Sequence, residues 1–183
     1  MTTEKKVVPL EEAEEQVRRV CTRLALLHIS FAKTLVEELG EEKGKHLILK
    51  AVKDYGIRIG EEVKAKADAR GVNNDPVNYK EDLPLYGMHE KKEKIEVEGE
   101  LRTRAHNCVM GKVWNDLGES ELGRLYCHVD PAKYMGFNPN YKLMHTMALP
   151  DGDEYCELVV RPTTEQERKD FADKDKGWFY IDQ

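Results

Sequence analysis

The apolar residues of this chain change their spacing once, and that change limits the folds open to it. Through about residue 71 they recur every three or four positions, as on one face of a helix, and from Ile95 they alternate. In "EEAEEQVRRVCTRLALLHISFAKTLVEELG" the spacing of Val17, Val20, Leu24, Leu27 and Phe31 predicts a helix with that stripe facing inward and a stop at Gly40. "KGKHLILKAVKDYGIRIGEEVKAKADARG" places Ile48, Val52, Ile59 and Val63 on one stripe of a second helix that ends at Gly71. Gly56 and Gly60 inside it each cost about 1 kcal/mol relative to alanine, but small residues four apart also let another element come close. In "KIEVEGELRTRA", Ile95, Val97, Gly99, Leu101 and Thr103 alternate with charged residues, the pattern of a half-buried strand with one wet face.

Further along, "NCVMGKVWNDLG" returns to a helical step and closes at Gly118, and Ser120 is placed to cap a short helix over "ELGRLYCHV". "YKLMHTMAL" and "EYCELVVR" then flank Asp151-Gly152, a strong hairpin turn signal. The tail reads as a short capped helix followed by an aromatic segment that docks on the body. The order predicts an α+β class: N-terminal helices followed by an antiparallel sheet with inserted short helices. Residues 1–183 read as a single domain, with a helical part over about 10–71, a loop over 72–90 and a sheet-containing part over 91–183. The loop, "GVNNDPVNYKEDLPLYGMHE", has no period and is either a binding loop or a solvated crossover.

A net charge of -6 without a basic stripe argues against nucleic acid as a partner. The start, "MTTEKKVVPLEEAEEQ", lacks the apolar core of a signal peptide, and no segment approaches the roughly 18 apolar residues of a membrane span. The chain reads as cytoplasmic, with no membrane partner. Its four cysteines, Cys21, Cys108, Cys127 and Cys156, are scattered, which predicts free thiols rather than a disulfide framework. The wet strand from Ile95 offers an edge or an interface for a second copy, so a homo-oligomer stays open.

The chemistry concentrates in "YCHVDPAKYMGFNPNYKLMHTMALPDGDEYC". With the turn at Asp151-Gly152, Leu149 faces Glu154, Met147 faces Cys156 and His145 faces Leu158. Leu143, His145, Met147 and Leu149 then share a face with Cys156, Leu158 and Val160, mostly apolar and therefore expected to be buried. His145 and Cys156 are diagonal neighbours on it. Asp130, before Pro131, reads as the N-cap of "PAKYMG", a role compatible with facing a pocket. Cys127, His128, Asp130, His145 and Cys156 include zinc-ligand types, but no tight ligand pair, so neither a metal nor a cofactor is predicted. A cysteine near an acid and a histidine can be activated as a thiolate. Cys21 and Cys108 are expected to pack. No Gly-rich phosphate loop, GxSxG elbow or HExxH motif is present. The residues themselves lead as far as a small-molecule site.

Residues 107–161 go further. A helix ending in Leu117-Gly118, then Cys127-x-x-Asp130, then Gly136-Phe137-Asn138-Pro139, then a strand, a Gly turn and Cys156 together resemble the L-2-amino-thiazoline-4-carboxylic acid hydrolase family. The resemblance implies hydrolysis of a carbon–nitrogen bond in a small cyclic amidine, giving a carbamoyl-cysteine. On that reading Cys127 is the nucleophile or frames an attacking water, Asp130 is the general acid/base, and His145 and Cys156 line the opposite wall. Asn138 with Phe137 would bind substrate. Arg124 is a carboxylate clamp or merely a surface helix charge. The other function class is a non-catalytic small-ligand-binding or sensor domain of the same fold, in which the cysteines only line a pocket.

Overall fold

The computed structural model describes residues 7–80 and 82–182; the first six residues, on which part of the leader reading rests, lie outside them. Two long helices, α1 (Leu10–Leu39) and α2 (Glu41–Ala69), fold back on each other at Gly40, whose φ of 79° suits glycine. The inward face of α1 is not the predicted stripe. Cys21, Ala25, Ile29 and Ala32 are buried, whereas Val20, Leu27 and Phe31 are exposed. Small residues let the neighbours close in: the indole N–H of Trp114 reaches the carbonyl of Ala25 at 3.1 Å, and Ala32 packs with Ile48, Val52 and Val129.

The glycines of α2 serve the purpose their spacing suggested. A Cβ on Gly56 would lie 2.5 Å from the Cβ of Ala132, and one on Gly60 would lie 2.2 Å from the carbonyl oxygen of Lys133. Both contacts belong to α5 (Val129–Phe137), which crosses α2 backbone to backbone. Before it come α3 (Val109–Asp116) and α4 (Ser120–Cys127). Ser120 opens α4 without capping it, since its hydroxyl donates to Asn115 Oδ1 at 2.6 Å. Asp130 likewise lies in the first turn of α5 and is not its cap; His128 holds the cap position.

The sheet is antiparallel with the order β1-β2-β4-β3, confirming the α+β class. The segment read as one strand is a hairpin: β1 (Lys91–Val97) turns at Glu98 and Gly99, with φ of 52° and 81°, into β2 (Glu100–His106). The alternation runs unbroken through the turn, which hid it. In the second hairpin, β3 (Tyr141–Met147) and β4 (Cys156–Pro162) pair His145 with Leu158 and Leu143 with Val160, as expected. The connection, however, is a longer loop with a 3-10 turn over Leu149–Asp151 rather than a tight turn, so Leu149 does not face Glu154. A bulge between His145 and Met147 then moves Met147 opposite Glu157, and Cys156 pairs with Ala105 instead. One sheet face carries an ion network in which Glu157 holds Arg102 at 2.7 Å and Arg104 at 2.8 Å. The other turns His145 and Cys156 towards the helices.

The last helix, α6 (Glu165–Ala172), begins with a reciprocal capping box between Thr164 and Glu167. The aromatic tail docks as expected, burying Trp178 and Ile181 against Ala132, Met135 and Phe171. It ends in a short 3-10 turn, Phe179–Asp182. Among the described residues no helix is long and apolar enough to cross a membrane.

Candidate functional site

His145 stands where α4, α5, β3 and the C-terminal turn meet, with a carboxylate on each side. Asp182 accepts the His145 backbone N–H at 2.8 Å, and both of its oxygens lie 3.1 Å from Nδ1. Asp130 reaches towards Nε2 from α5 at 3.5 Å. The run of charge continues outward in both directions. Arg124 donates to Asp182 and to Asp151, each at 2.8 Å. Lys133, one turn beyond Asp130, bridges it at 2.8 Å to Asp82 of the irregular loop at 2.7 Å. Lys133 is 3% exposed, so its ammonium requires both partners.

These neighbours set the protonation states. Burial alone would lower the His145 pKa, but Asp182 and then Asp130 outweigh it and hold the imidazole above its ordinary value. Burial would raise Asp182, yet His145 and Arg124 keep it below the usual carboxylate range. The Lys133 ammonium is held in place, since Asp130 and Asp82 overcome a large desolvation cost. With Nδ1 occupied by Asp182, Nε2 keeps the longer, 3.5 Å contact with Asp130.

The thiols divide sharply. Cys127, at the end of α4, has its pKa pushed well up by burial, with Arg124 opposing. Cys156 accepts the Leu149 N–H at 3.4 Å and shares a hydrogen bond with Cys108, which together with burial keeps its own proton on. Cys108 is the opposite case: the hydrogen bond from Cys156, helped by His89 and the Gly111 N–H, overcomes burial and lowers it well below a free thiol. Cys108 packs against the Cys21, Met110 and Trp114 cluster, as expected, and is also the hydrogen-bond partner of Cys156. Its partner lies 48 positions away, and no local pattern pointed to it.

Asp130 meets His145, and Cys127 and Cys156 lie within electrostatic reach of Cys108; of these four site residues, His145 lines the cleft beside Arg124 and the other three do not. Phe137 and Asn138 lie at the far end of α5. Phe137 is buried with Val63 and Ala67 and meets Tyr79 edge-on. Asn138 donates to the Asn74 carbonyl at 2.8 Å, tying the irregular loop to α5. Tyr79 of that loop stacks on Tyr134 with ring centres 4.2 Å apart. Arg124 is no surface charge, as its side chain is 16% exposed. A cleft of about 320 Å³ opens beside it and reaches His145, His128 and Asp182. Among the described residues no three metal-ligating side chains gather closely enough to hold an ion.

An antiparallel sheet packed on α5, with a buried histidine set between Asp182 and Asp130 at a small cleft, defines an α+β protein with a polar site. The chain belongs to the L-2-amino-thiazoline-4-carboxylic acid hydrolase family, whose model matches residues 18–160. Among solved structures it is similar to the phenol-responsive sensory domain of the transcription activator PoxR, determined with phenol. The identity is 13%, the match covers 83% of this chain and 80% of that one, and the TM-score is 0.47. No curated protein matches the chain.

Proposed function

We propose that the protein hydrolyses a carbon–nitrogen bond of a small cyclic amidine such as 2-amino-thiazoline-4-carboxylate. The observation that carries this reading is the placement of His145, whose Nδ1 is fixed by Asp182 while Nε2 faces Asp130 at 3.5 Å, on a cleft that Arg124 also lines. Family membership supplies the reaction class. The cleft lies within the roughly 300–1,000 Å³ usual for small-molecule sites.

Asp130 takes a proton from a water as the hydroxyl adds to the amidine carbon, and His145 gives its Nε2 proton to the ring nitrogen. As the carbonyl re-forms and the ring carbon–nitrogen bond breaks, the Asp130 proton passes to that nitrogen, which leaves as the free amine of S-carbamoyl-cysteine, and the hydroxyl proton returns to His145. Cys127, held as a neutral thiol, frames the water; it does not attack. Arg124 supplies the positive field for the substrate carboxylate. Cys156 closes the wall behind His145, and Phe137 and Asn138 hold the loop that carries Asp82 to Lys133.

The test is incubation of the purified protein with 2-amino-thiazoline-4-carboxylate, with carbamoyl-cysteine followed by mass spectrometry. Turnover by the wild type and a loss of about a hundredfold or more in His145→Gln are expected. Saturable binding without turnover would instead establish a non-catalytic ligand-binding domain.

A further inference from the structure

On another side of the molecule, the first half of α2 and the C-terminal tail enclose a groove of about 820 Å³. His46, Leu49, Lys50 and Lys53 line it at three- and four-residue steps, so one face of α2 forms the wall. Leu125 and Trp178 supply an apolar floor. Lysines dominate the rim, Lys43 and Lys174 among them, against Glu41 and Glu42. Lys45 and Lys176 are already paired, with Glu41 and Asp170.

Lys53 sets the chemistry. It is 9% exposed, and its ammonium lies 4.8 Å above the Phe171 ring and 6.0 Å from that of Trp178. Its one hydrogen bond among the described residues is to the backbone carbonyl of Asp173, at 3.0 Å. Among the described residues no carboxylate comes within ion-pair distance of it, although the Asp173 charge acts on it from further off and Lys50 opposes. A buried cation without a counterion costs free energy, which an anion arriving in the groove would offset. Burial accordingly lowers the Lys53 pKa, and a bound anion would reverse that.

We propose that this groove is a second ligand site, for a monocarboxylate with an apolar body, whose carboxylate pairs with Lys53 and whose chain or ring lies along Leu49, Leu125 and Trp178. Phe179 lines both this groove and the cleft at His145, so an occupant touches the segment that carries Asp182 into the site. The proposal does not depend on the hydrolytic reading.

Isothermal titration of the full-length protein with sodium decanoate, with 1-decanol as the uncharged control, tests it. Decanoate is expected to bind saturably, and more tightly than decanol. Lys53→Met, checked for folding by circular dichroism, should weaken decanoate about tenfold or more while leaving decanol unchanged. Leu49→Glu, which sets a like charge on the wall with Lys53 intact, should weaken decanoate similarly and decides the matter if Lys53→Met does not fold. Failure of the wild type to bind decanoate overturns the proposal. So does equal binding of decanoate and decanol, or wild-type decanoate affinity in either folded variant.

Discussion

Asp182 grips His145 twice, through the backbone N–H and through Nδ1, and it does so from the second-to-last position of the chain. A carboxylate on Nδ1 fixes the ring's orientation and stabilises its protonated form, leaving Nε2 to do chemistry. Asp182→Asn keeps the shape and removes the charge. It is expected to lower turnover about a hundredfold or more and to lower the His145 pKa as read by NMR. A His145 titration unchanged in Asp182→Asn would rule out the orienting role whatever the rate did.

The raised His145 pKa also makes stability depend on pH. Protons bind more tightly in the folded protein, so the stabilisation is complete below the unfolded value of about 6.5 and fades as the pH rises through the higher folded value. Raising the pH from about 6 to 9 should therefore lower the wild-type Tm more than that of His145→Gln. Parallel melting curves for the two proteins over that window would refute the linkage. Asp182 works the other way, its contribution being lost as the pH falls through its depressed value.

The contact between α2 and α5 gives a prediction about packing. A methyl at Gly60 would meet the backbone carbonyl of Lys133 at 2.2 Å and the amide nitrogen of Phe137 at 2.7 Å, and backbone cannot move aside cheaply. Gly60→Ala should cost about 2–4 kcal/mol in urea unfolding and displace Asp130 with the rest of α5. Gly118→Ala is the control: its φ is 70° and the space around it is open, so the cost should stay near 1 kcal/mol. Equal losses in the two variants would deny the close crossing.

What could be read from the sequence follows from where each signal lies. Gly56 and Gly60 announced a close approach because spacing along one helix is local. The pairing of His145 with Leu158 was also expected, although the tight turn it was drawn from is a longer loop with a 3-10 turn and a bulge beside it. The turn at Glu98-Gly99 went unread, since the alternation crosses it without a break. The inward face of α1 was misplaced because the larger apolar residues drew the stripe, whereas the close packing of Trp114 and of α2 selects Cys21, Ala25 and Ala32. Asp182 carried no signal at all. An acid near a chain end looks solvated, and only the docking of Trp178 and Ile181 brings it to His145.

The opposed thiols supply the last prediction. Cys127 is pushed up by burial, and Cys108 is drawn down by Cys156 and His89, so alkylation followed against pH by mass spectrometry should separate them. Cys108 is expected to label well below the free-cysteine value of about 8.5, and Cys127 only well above it or after unfolding. The order bears directly on mechanism. On the hydrolytic proposal, a thiol that burial keeps protonated leaves the attack to water, so Cys127→Ser should keep most of the turnover while Asp130→Asn loses it. Labelling of Cys127 near neutral pH, with loss of turnover in Cys127→Ser, would return the nucleophile's role to the thiol and leave Asp130 to activate it.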